Sequence, residues 1–599
     1  MPEISPTNNQ RKIPAEHAGT DVNFCKTPGC VNFGVPPSRE SRVGKRGPDA
    51  PPSDGYRLIG TPGRHGSVPS LHCQHCGTTT VLKSNLGVHE ELQRITAFLR
   101  QINPVACQRD GCANQGKPVR AHPDLYRLHG RTRHGSPRFR CKACDSTVSS
   151  PKATARQRAS HKNARILTLL MNGMALSRIC EAVDVTFSTL YGKIDFLHRQ
   201  CLAFAAERER RFAEELTVDR LYLCADRQDY IVNWGDRKRR KTIQLTSVGT
   251  ADLRSGYVFA LTPNFDPTLD PETVEEDAAA VGDHDTKPPF RKYARLWLAA
   301  DYTESVLRAR AQETGPARDD LETAELLDDG QALPAQGMQV HAEYTMYGHF
   351  AYLRHLLRGV GKVRFFLDPD AGMRTACIAA FHDRIRARQA DVFWVAAAKD
   401  WIVDDKEKAV RQARQRLKAA MAAHPGLTAR QVKAKVIEER LEALLEASPR
   451  ETGKLQGVWV EHPFPDMSEP EKRVAYMTDW GDYDAAHLSW LYEMASLHAI
   501  DTVFMQIRRR LSLLERAIPT ARRARRLWHG RAPYDPATIG RMLDIYRVWH
   551  NWVHVGDDGL TPAQRLGVAK GPIRMQDVIY FQPFAPEERR RRAPAATVK

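Results

Sequence analysis

Apolar positions along the chain follow two different periods, and the switch between them marks its main division. Residues 163–172 (NARILTLLMN) repeat with helical spacing and stop at Gly173. Ser177 caps a short helix, SRICEAV, and after Asp184 and Val185 the stretch FSTLYGKIDFLHRQ makes a third helix. A short helix, a tight turn and a polar-faced helix carrying Ser188, Thr189, Tyr191 and Lys193 read as a helix-turn-helix, with Leu190, Ile194 and Leu197 facing inward. From residue 219 the period becomes that of strands. RLYLCAD, KTIQLTSVGTAD and SGYVFALTPNFD are β-rich runs separated by turn residues, which predicts an antiparallel meander. Residues 268–289 are acidic and proline-containing and read as a surface loop, and helical material follows from about 291 to 358. KVRFFLD and VFWVAAAK have the unbroken apolar character of buried strands, with a helix from Arg374 to Arg388 between them. Charged helices at 405–448 precede two strand-like runs, GVWVEHPF and RVAYMTDW, and then closing helices. Strands alternating with helices call for a mixed α/β domain.

The segment before these helices has little periodicity but repeats itself. Cys25-x4-Cys30 and Cys73-x2-Cys76 are followed by Cys107-x4-Cys112 and Cys141-x2-Cys144. CKTPGCVNFG matches CQRDGCANQG, RHGSVPSLHCQHC matches RHGSPRFRCKAC, and Tyr56 and Tyr126 each stand four residues before a glycine, Gly60 and Gly130. Paired Cys-x(2–4)-Cys hairpins supply four thiolates to a tetrahedral Zn2+, so the eight cysteines predict two structural zinc sites. Each copy is too small for a convincing core of its own, and metal binding would supply its folding energy. His65 and His134 recur at equivalent places, as fold-supporting or phosphate-contacting residues rather than ligands.

These patterns divide the chain into a disordered tail (1–20), zinc modules at 21–88 and 103–150 joined by a helical bridge, and a helix-turn-helix at 160–202. A core follows in two parts, 215–400 and 481–575, around an inserted helical subdomain at 401–480, and a basic disordered tail closes it at 585–599. A formal net charge of +18 points to a polyanionic partner, DNA above all. No run approaches the roughly 20 apolar residues of a membrane span. With reduced cysteines the expected compartment is the bacterial cytoplasm, at the nucleoid.

Asp226 ends one predicted strand and Asp368 another, and carboxylates converging at a sheet edge can hold two Mg2+ or Mn2+ ions against a phosphodiester. A third acid, Asp501, lies one turn into the amphipathic helix LHAIDTVFMQIRRRLSLLERAI, with Arg508 and Arg509 further along it. The zinc hairpin RFRCKAC, the helical trio and the segment IDTVFMQIRRR together resemble bacterial insertion-sequence transposases of the DDE class. In that family a glutamate followed seven residues later by arginine marks the third catalytic acid. Here those positions hold Asp501 and Arg508, making a DDD set. The closing segment YRVWHNWVHVGDDGLTPAQRLGVAKG is similar to the family's tail through Asn551 and Thr561-Pro562-Ala563.

The resemblance implies a ribonuclease H-like core, metal-dependent strand cleavage and transfer, DNA ends and target as partners, and a homo-oligomeric synaptic complex. The duplicated zinc module, Asp in place of Glu, and the long Asp368–Asp501 interval depart from the family pattern. Asp229, Asp370, Glu493 and Glu515 remain alternative acids. A zinc-dependent DNA-binding regulator descended from an inactive transposase is the alternative function.

Overall fold

The computed structural model describes residues 13–38, 54–63, 66–100, 105–119, 122–133, 136–149, 153–154, 157–233, 242–302, 333–398, 401–447, 455–515, 518–519, 527–528 and 532–581. Residues 1–12 and 585–599 of the expected tails, and the recurring His65 and His134, lie outside the described residues. The chain forms two compact units, Met1–Thr96 with Phe212–Pro572, and Ala97–Arg211 with Ile573–Lys599. No helix among the described residues is long and apolar enough to cross a membrane.

In chain order, β1 (Tyr56–Gly63), β2 (Gly66–Cys73) and β3 (Thr79–Val81) belong to the first cassette, and α1 covers Asn85–Arg100. The second cassette holds β4 (Tyr126–Arg131), β5 (Pro137–Cys141) and β6 (Thr147–Ser149). Then come α2 (Asn163–Met171), α3 (Leu176–Val183) and α4 (Phe187–Glu209). The strands β7 (Arg220–Asn233), β8 (Thr242–Asp252) and β9 (Val258–Pro263) are followed by α5 (Ala342–Leu356), β10 (Lys362–Leu367), α6 (Ala371–Arg386) and β11 (Ala390–Ala396). The chain closes with α7 (Val403–Ala423), α8 (Ala429–Ala447), β12 (Trp459–Glu461), β13 (Arg473–Tyr476), α9 (Ala485–Met494), α10 (His498–Arg510), α11 (Ala537–Trp552) and α12 (Met575–Ile579).

The first unit is built on a seven-stranded mixed sheet of order β12-β13-β11-β10-β7-β8-β9. The predicted meander forms as antiparallel β7, β8 and β9, and β10 and β11 then run parallel to β7. Val363, Phe365, Phe366 and Leu367 of β10 are each 0% exposed, the sign of a central strand covered on both faces. Parallel neighbours need a crossover, and α6 supplies it between β10 and β11. The runs around Trp459 and Val474, expected within the inserted subdomain, extend this sheet instead, because β13 pairs antiparallel with β11 and β12 pairs with β13. In α7 the only buried residues are Val410 and Ala413, whereas α8 buries Val432, Ile437 and Leu441.

Two local expectations change. The surface loop at 268–289 contains a helix, Pro271–Ala280, because Asp270 accepts a hydrogen bond from the Thr273 amide and Pro271 occupies the first turn, where a missing N–H costs nothing. Residues 14 and 15, expected in a disordered tail, are held by Asn85 Nδ2, which donates to the Pro14 and Ala15 carbonyls at 3.3 and 3.0 Å.

The first cassette belongs to this same unit. Its Phe24 ring lies 4.8 Å from His382 of α6, and Phe33 lies 6.0 Å from Trp480. Gly34 is required where it sits, since a Cβ there would come 2.5 Å from the His382 ring. Below the cassette, the buried Arg295 pairs with Glu90, Glu91 and Asp266 at 3.1, 3.2 and 2.8 Å.

In the second unit, Ile166, Leu170, Ile179, Leu190, Ile194 and Leu197 form the core of α2–α4. The α3–α4 turn runs through Asp184 in the left-handed region (φ 51°), and Thr186 then caps α4 by accepting from the Thr189 amide. Ser177 is not a cap; it lies inside α3, whose first flanking residue is Ala175. The segment after α12 docks on α4, with Gln200 Nε2 donating to the Ile579 and Phe581 carbonyls at 3.1 and 3.2 Å.

Candidate metal centres and acidic sheet edge

The two cassettes reproduce one another atom by atom. Cys25 Sγ lies 3.5 Å from Cys76 Sγ and Cys30 Sγ 3.6 Å from Cys73 Sγ. In the second copy Cys107 lies 3.4 Å from Cys144, and Cys112 lies 3.8 Å from Cys141. Within each quartet all four sulfurs fall within 4.8 Å of one another, and all twelve cysteines are unbridged. A tetrahedral zinc ion with Zn–S bonds of about 2.3 Å has S···S edges of about 3.8 Å, so each quartet can hold one zinc ion.

What shapes the quartets is equally duplicated. Gly34 N–H donates to Cys25 O, and Gly116 N–H to Cys107 O, at 3.1 and 2.9 Å. Tyr56 Oη accepts from the Cys25 amide at 2.8 Å and donates to the Asn32 and Val35 carbonyls. Tyr126 Oη accepts from the Cys107 amide at 3.0 Å and donates to the Asn114 and Lys117 carbonyls. Asn32 and Asn114 send amide N–H groups to Cys73 and Cys141 Sγ at 3.8 and 3.4 Å. Sequence reasoning missed these two asparagines, although each stands two residues after the second cysteine of its copy. Such outer contacts orient ligands and stabilise their charge.

The thiols are polarised in the same sense. Burial would raise Cys76, but hydrogen bonds from Thr78 and Thr27 outweigh it and bring the thiol down to about 6. The Ser146 hydroxyl and amide lower Cys144 to about 6. Cys30 is pushed up to about 11, chiefly by burial and then by its neighbouring sulfurs. Cys76 in the first quartet and Cys144 and Cys141 in the second are therefore shifted toward the thiolate, while Cys25, Cys30 and Cys112 are shifted away from it. A divalent cation favours the thiolate form of all four when it binds.

The acids are placed by strand register. Leu367 of β10 is level with Ala225 of β7, and the Asp368 amide donates to Ala225 O at 3.1 Å. Asp226 and Asp368 thus lie side by side, Asp368 just past the end of β10. Asp226, expected to end its strand, stands instead in the middle of β7, because pairing with β8 carries that strand on to Asn233. Asp226 pairs across β8 with Gly249, where a Cβ would lie 2.8 Å from Ile500 Cδ1 and 2.9 Å from the Phe504 ring. The absence of a side chain at 249 lets the first turn of α10 close on this part of the sheet. There the Ile500 backbone hydrogen-bonds the Cys224 thiol, and the charge of Asp501 is felt by the same thiol. Cys224 and Asp226 share a face of β7 by the two-residue alternation of a strand. Among the described residues, the only groups of three or more potential ligands within 4.8 Å are the two cysteine quartets.

The alternative acids have other engagements. Asp370 caps α6 by accepting from the Gly372 and Met373 amides at 2.7 and 3.1 Å, and it pairs with Arg227 at 2.9 Å. Asp229 accepts from Thr246 Oγ1 at 2.7 Å, and Glu493 pairs with Arg430 at 3.2 Å. Glu515 is exposed. A residue that the sequence did not single out holds the start of α10. Glu469, 2% exposed and paired with Lys472, accepts from the Leu497 amide and Ser496 Oγ at 2.6 and 2.7 Å.

Arg509 is exposed and Arg508 half-buried on α10. Asn551 serves the fold, because it accepts from the Val258 amide and donates to its carbonyl, covering the open edge of β9 as a further strand would. Ser188, Thr189 and Tyr191 are exposed at the start of α4. Lys193, expected on the same polar face, is turned inward and 3% exposed. Its ammonium donates to the carbonyls of Arg158 and Ala159 and to Gln157 Oε1, at 2.5, 3.3 and 3.3 Å. Acceptors clustered in the 157–159 segment draw it in, and burial lowers its pKa. No protein-family model, curated protein or solved structure matches the chain.

Proposed function

We propose that this chain is a DNA transposase of the DDE/DDD class, binding element ends and cutting and joining DNA strands with Asp226, Asp368 and Asp501. The observation that carries this reading is the register that sets Asp226, within β7, beside Asp368, just past the end of parallel β10, with the turn bearing Asp501 packed at Gly249 opposite Asp226. The strand order β9-β8-β7-β10-β11, an antiparallel meander continued by two parallel strands, supports a ribonuclease H-like core. The tight turn through Asp184 into a capped, exposed helix start supports a helix-turn-helix.

Charge supports a division of labour. Of the 89 basic and 71 acidic residues, 27 and 11 fall in the second unit, which therefore carries sixteen of the eighteen net positive charges. That unit is suited to phosphates, and the nearly neutral first unit to the chemistry. The three aspartates would hold Mg2+ or Mn2+, which supplies Lewis-acid stabilisation of the developing charge when bound. A water oxygen forms the new bond to phosphorus as the P–O3′ bond breaks, leaving a 3′-hydroxyl and a 5′-phosphate. That hydroxyl is the nucleophile for joining to target DNA, and two copies would hold the paired ends.

The second reading is a zinc-dependent DNA-binding regulator with an inactive core, favoured by the absence, among the described residues, of any carboxylate trio within 4.8 Å. The natural chain, supplied with its flanking genomic ends and Mg2+, should nick them. Asp226→Asn, Asp368→Asn and Asp501→Asn should each abolish nicking, without additivity, while binding survives. Binding with no cleavage by the natural chain in Mg2+ or Mn2+ would leave the regulator reading.

A further inference from the structure

The start of α4 presents an unusual surface for a helix in so basic a unit. From Thr186 to Gly192 every residue except Leu190 is exposed, and none is charged. Phe187 is 52% exposed and Tyr191 40%, one helical turn apart and so on one face. The first charged residue of the helix, Lys193, is committed to backbone carbonyls within the fold. The first turns of the helix, Thr186 to Gly192, therefore offer an apolar ring, a phenol and three hydroxyls, and no guanidinium or ammonium to chelate guanine. The first exposed arginine of α4 is Arg199, about two turns further on.

Resting on the helix-turn-helix reading, we propose that Phe187, with Tyr191 beside it, is a specificity-determining residue that reads thymine methyl groups in the major groove. The occupant is duplex DNA because this helix belongs to the unit holding sixteen of the eighteen net positive charges. The C5-methyl of thymine is the one apolar feature of the major-groove edge, and apolar side chains contact it where arginine would select guanine. Affinity comes from basic residues elsewhere in the unit, and base selection from the neutral tip of α4. Ser188 and Thr189 add hydroxyls able to meet either base type. The preferred site should accordingly hold A·T pairs where α4 enters.

The probe is a duplex selected from a random pool by the full-length, zinc-loaded protein and then remade with deoxyuridine at each thymine in turn. For the natural chain, one or two replacements should weaken binding about fourfold each, the value of one buried methyl. Phe187→Ala should weaken binding to the parent duplex and abolish that uridine penalty, leaving the salt dependence unchanged. Phe187→Leu, still apolar, should keep part of the penalty. If no uridine matters, or if Phe187→Ala keeps the full penalty, the inference is wrong. A Phe187→Ala protein that changes only its oligomeric state would overturn it too, assigning the ring to a contact between copies. Should Ser188→Ala and Thr189→Ala also leave selectivity unaltered, the helix-turn-helix reading itself would fail.

Discussion

The two cysteine cassettes have the same interior and opposite surroundings. Each has four sulfurs at zinc-binding separation, a tyrosine hydroxyl bonded to three backbone groups, an asparagine on one thiol, and glycines at positive φ in matching places. Outside that frame the residues diverge. Phe33, 1% exposed and packed near Trp480, has Gln115 as its counterpart, exposed and bonded to Asp110. Leu128 of the second cassette is 68% exposed, and between Cys107 and Cys144 there are nine basic residues to two acidic. Ligands, glycines and buried polar latches fix the cassette, while positions outside that set decide whether it becomes part of a core or an open basic surface.

The largest expected effect separates the two. Cys73→Ser and Cys141→Ser should each lower zinc from about two equivalents to about one by elemental analysis, because a structural site contributes roughly 10 kcal/mol or more to folding. Calorimetry should show Cys73→Ser depressing the main unfolding transition and Cys141→Ser sparing it while weakening DNA binding. Identical melting profiles would erase the contrast. Next in size is an exchange of counterparts. Phe33→Gln should cost about 3 kcal/mol of first-unit stability with zinc retained, and Gln115→Phe should stay within about 0.5 kcal/mol. Tyr56→Phe and Tyr126→Phe test the shared interior: each strands buried backbone groups and should cost about 1–3 kcal/mol, seen as easier zinc removal by a chelator.

Much of this was readable because the determinants are local. Ligand cysteines must be spaced to reach one ion, so both sites could be found from intervals alone. The unbroken apolar character of β10 revealed a central strand ending at Asp368, whereas Asp226 looked like a strand end only because the polar residues after it hid the continuation of β7 to Asn233. Side-by-side placement could not be seen, since it depends on the parallel register of β7 and β10, set more than a hundred residues apart. Glu469 was hidden for the same reason: its partners Ser496 and Leu497 are brought to it by the fold. Lys193 misled because helical spacing says which face a residue occupies but not whether carbonyls wait there for a buried donor. The residues of β12 and β13 showed as strands, but not which sheet they would join.

Two smaller effects sharpen the contrast between units. In the first unit His349 is buried between Thr250 and Thr262, and burial lowers it to about 3. A folded-state value below the ordinary 6.5 means the folded form binds fewer protons. Its contribution is complete above about pH 6.5 and is lost progressively as pH falls toward 3. The first unit should therefore melt at lower temperature as pH drops through 6 to 4, with proton uptake on unfolding. A pH-independent melt would contradict this. In the second unit Lys193→Met should cost about 1–2 kcal/mol of stability while leaving the slope of DNA affinity against salt unchanged, since a buried ammonium releases no counterion. A slope reduced by about one would return Lys193 to the DNA surface.

The most direct test of the account is electron paramagnetic resonance of the DNA-bound, zinc-loaded protein titrated with Mn2+. Three aspartates forming one site should yield a spin-coupled pair of ions about 4 Å apart, and Asp226→Asn, Asp368→Asn or Asp501→Asn should each remove the coupled signal while DNA stays bound. Isolated Mn2+ signals, or a coupled pair indifferent to all three substitutions, would contradict the assignment of these acids to a shared catalytic centre.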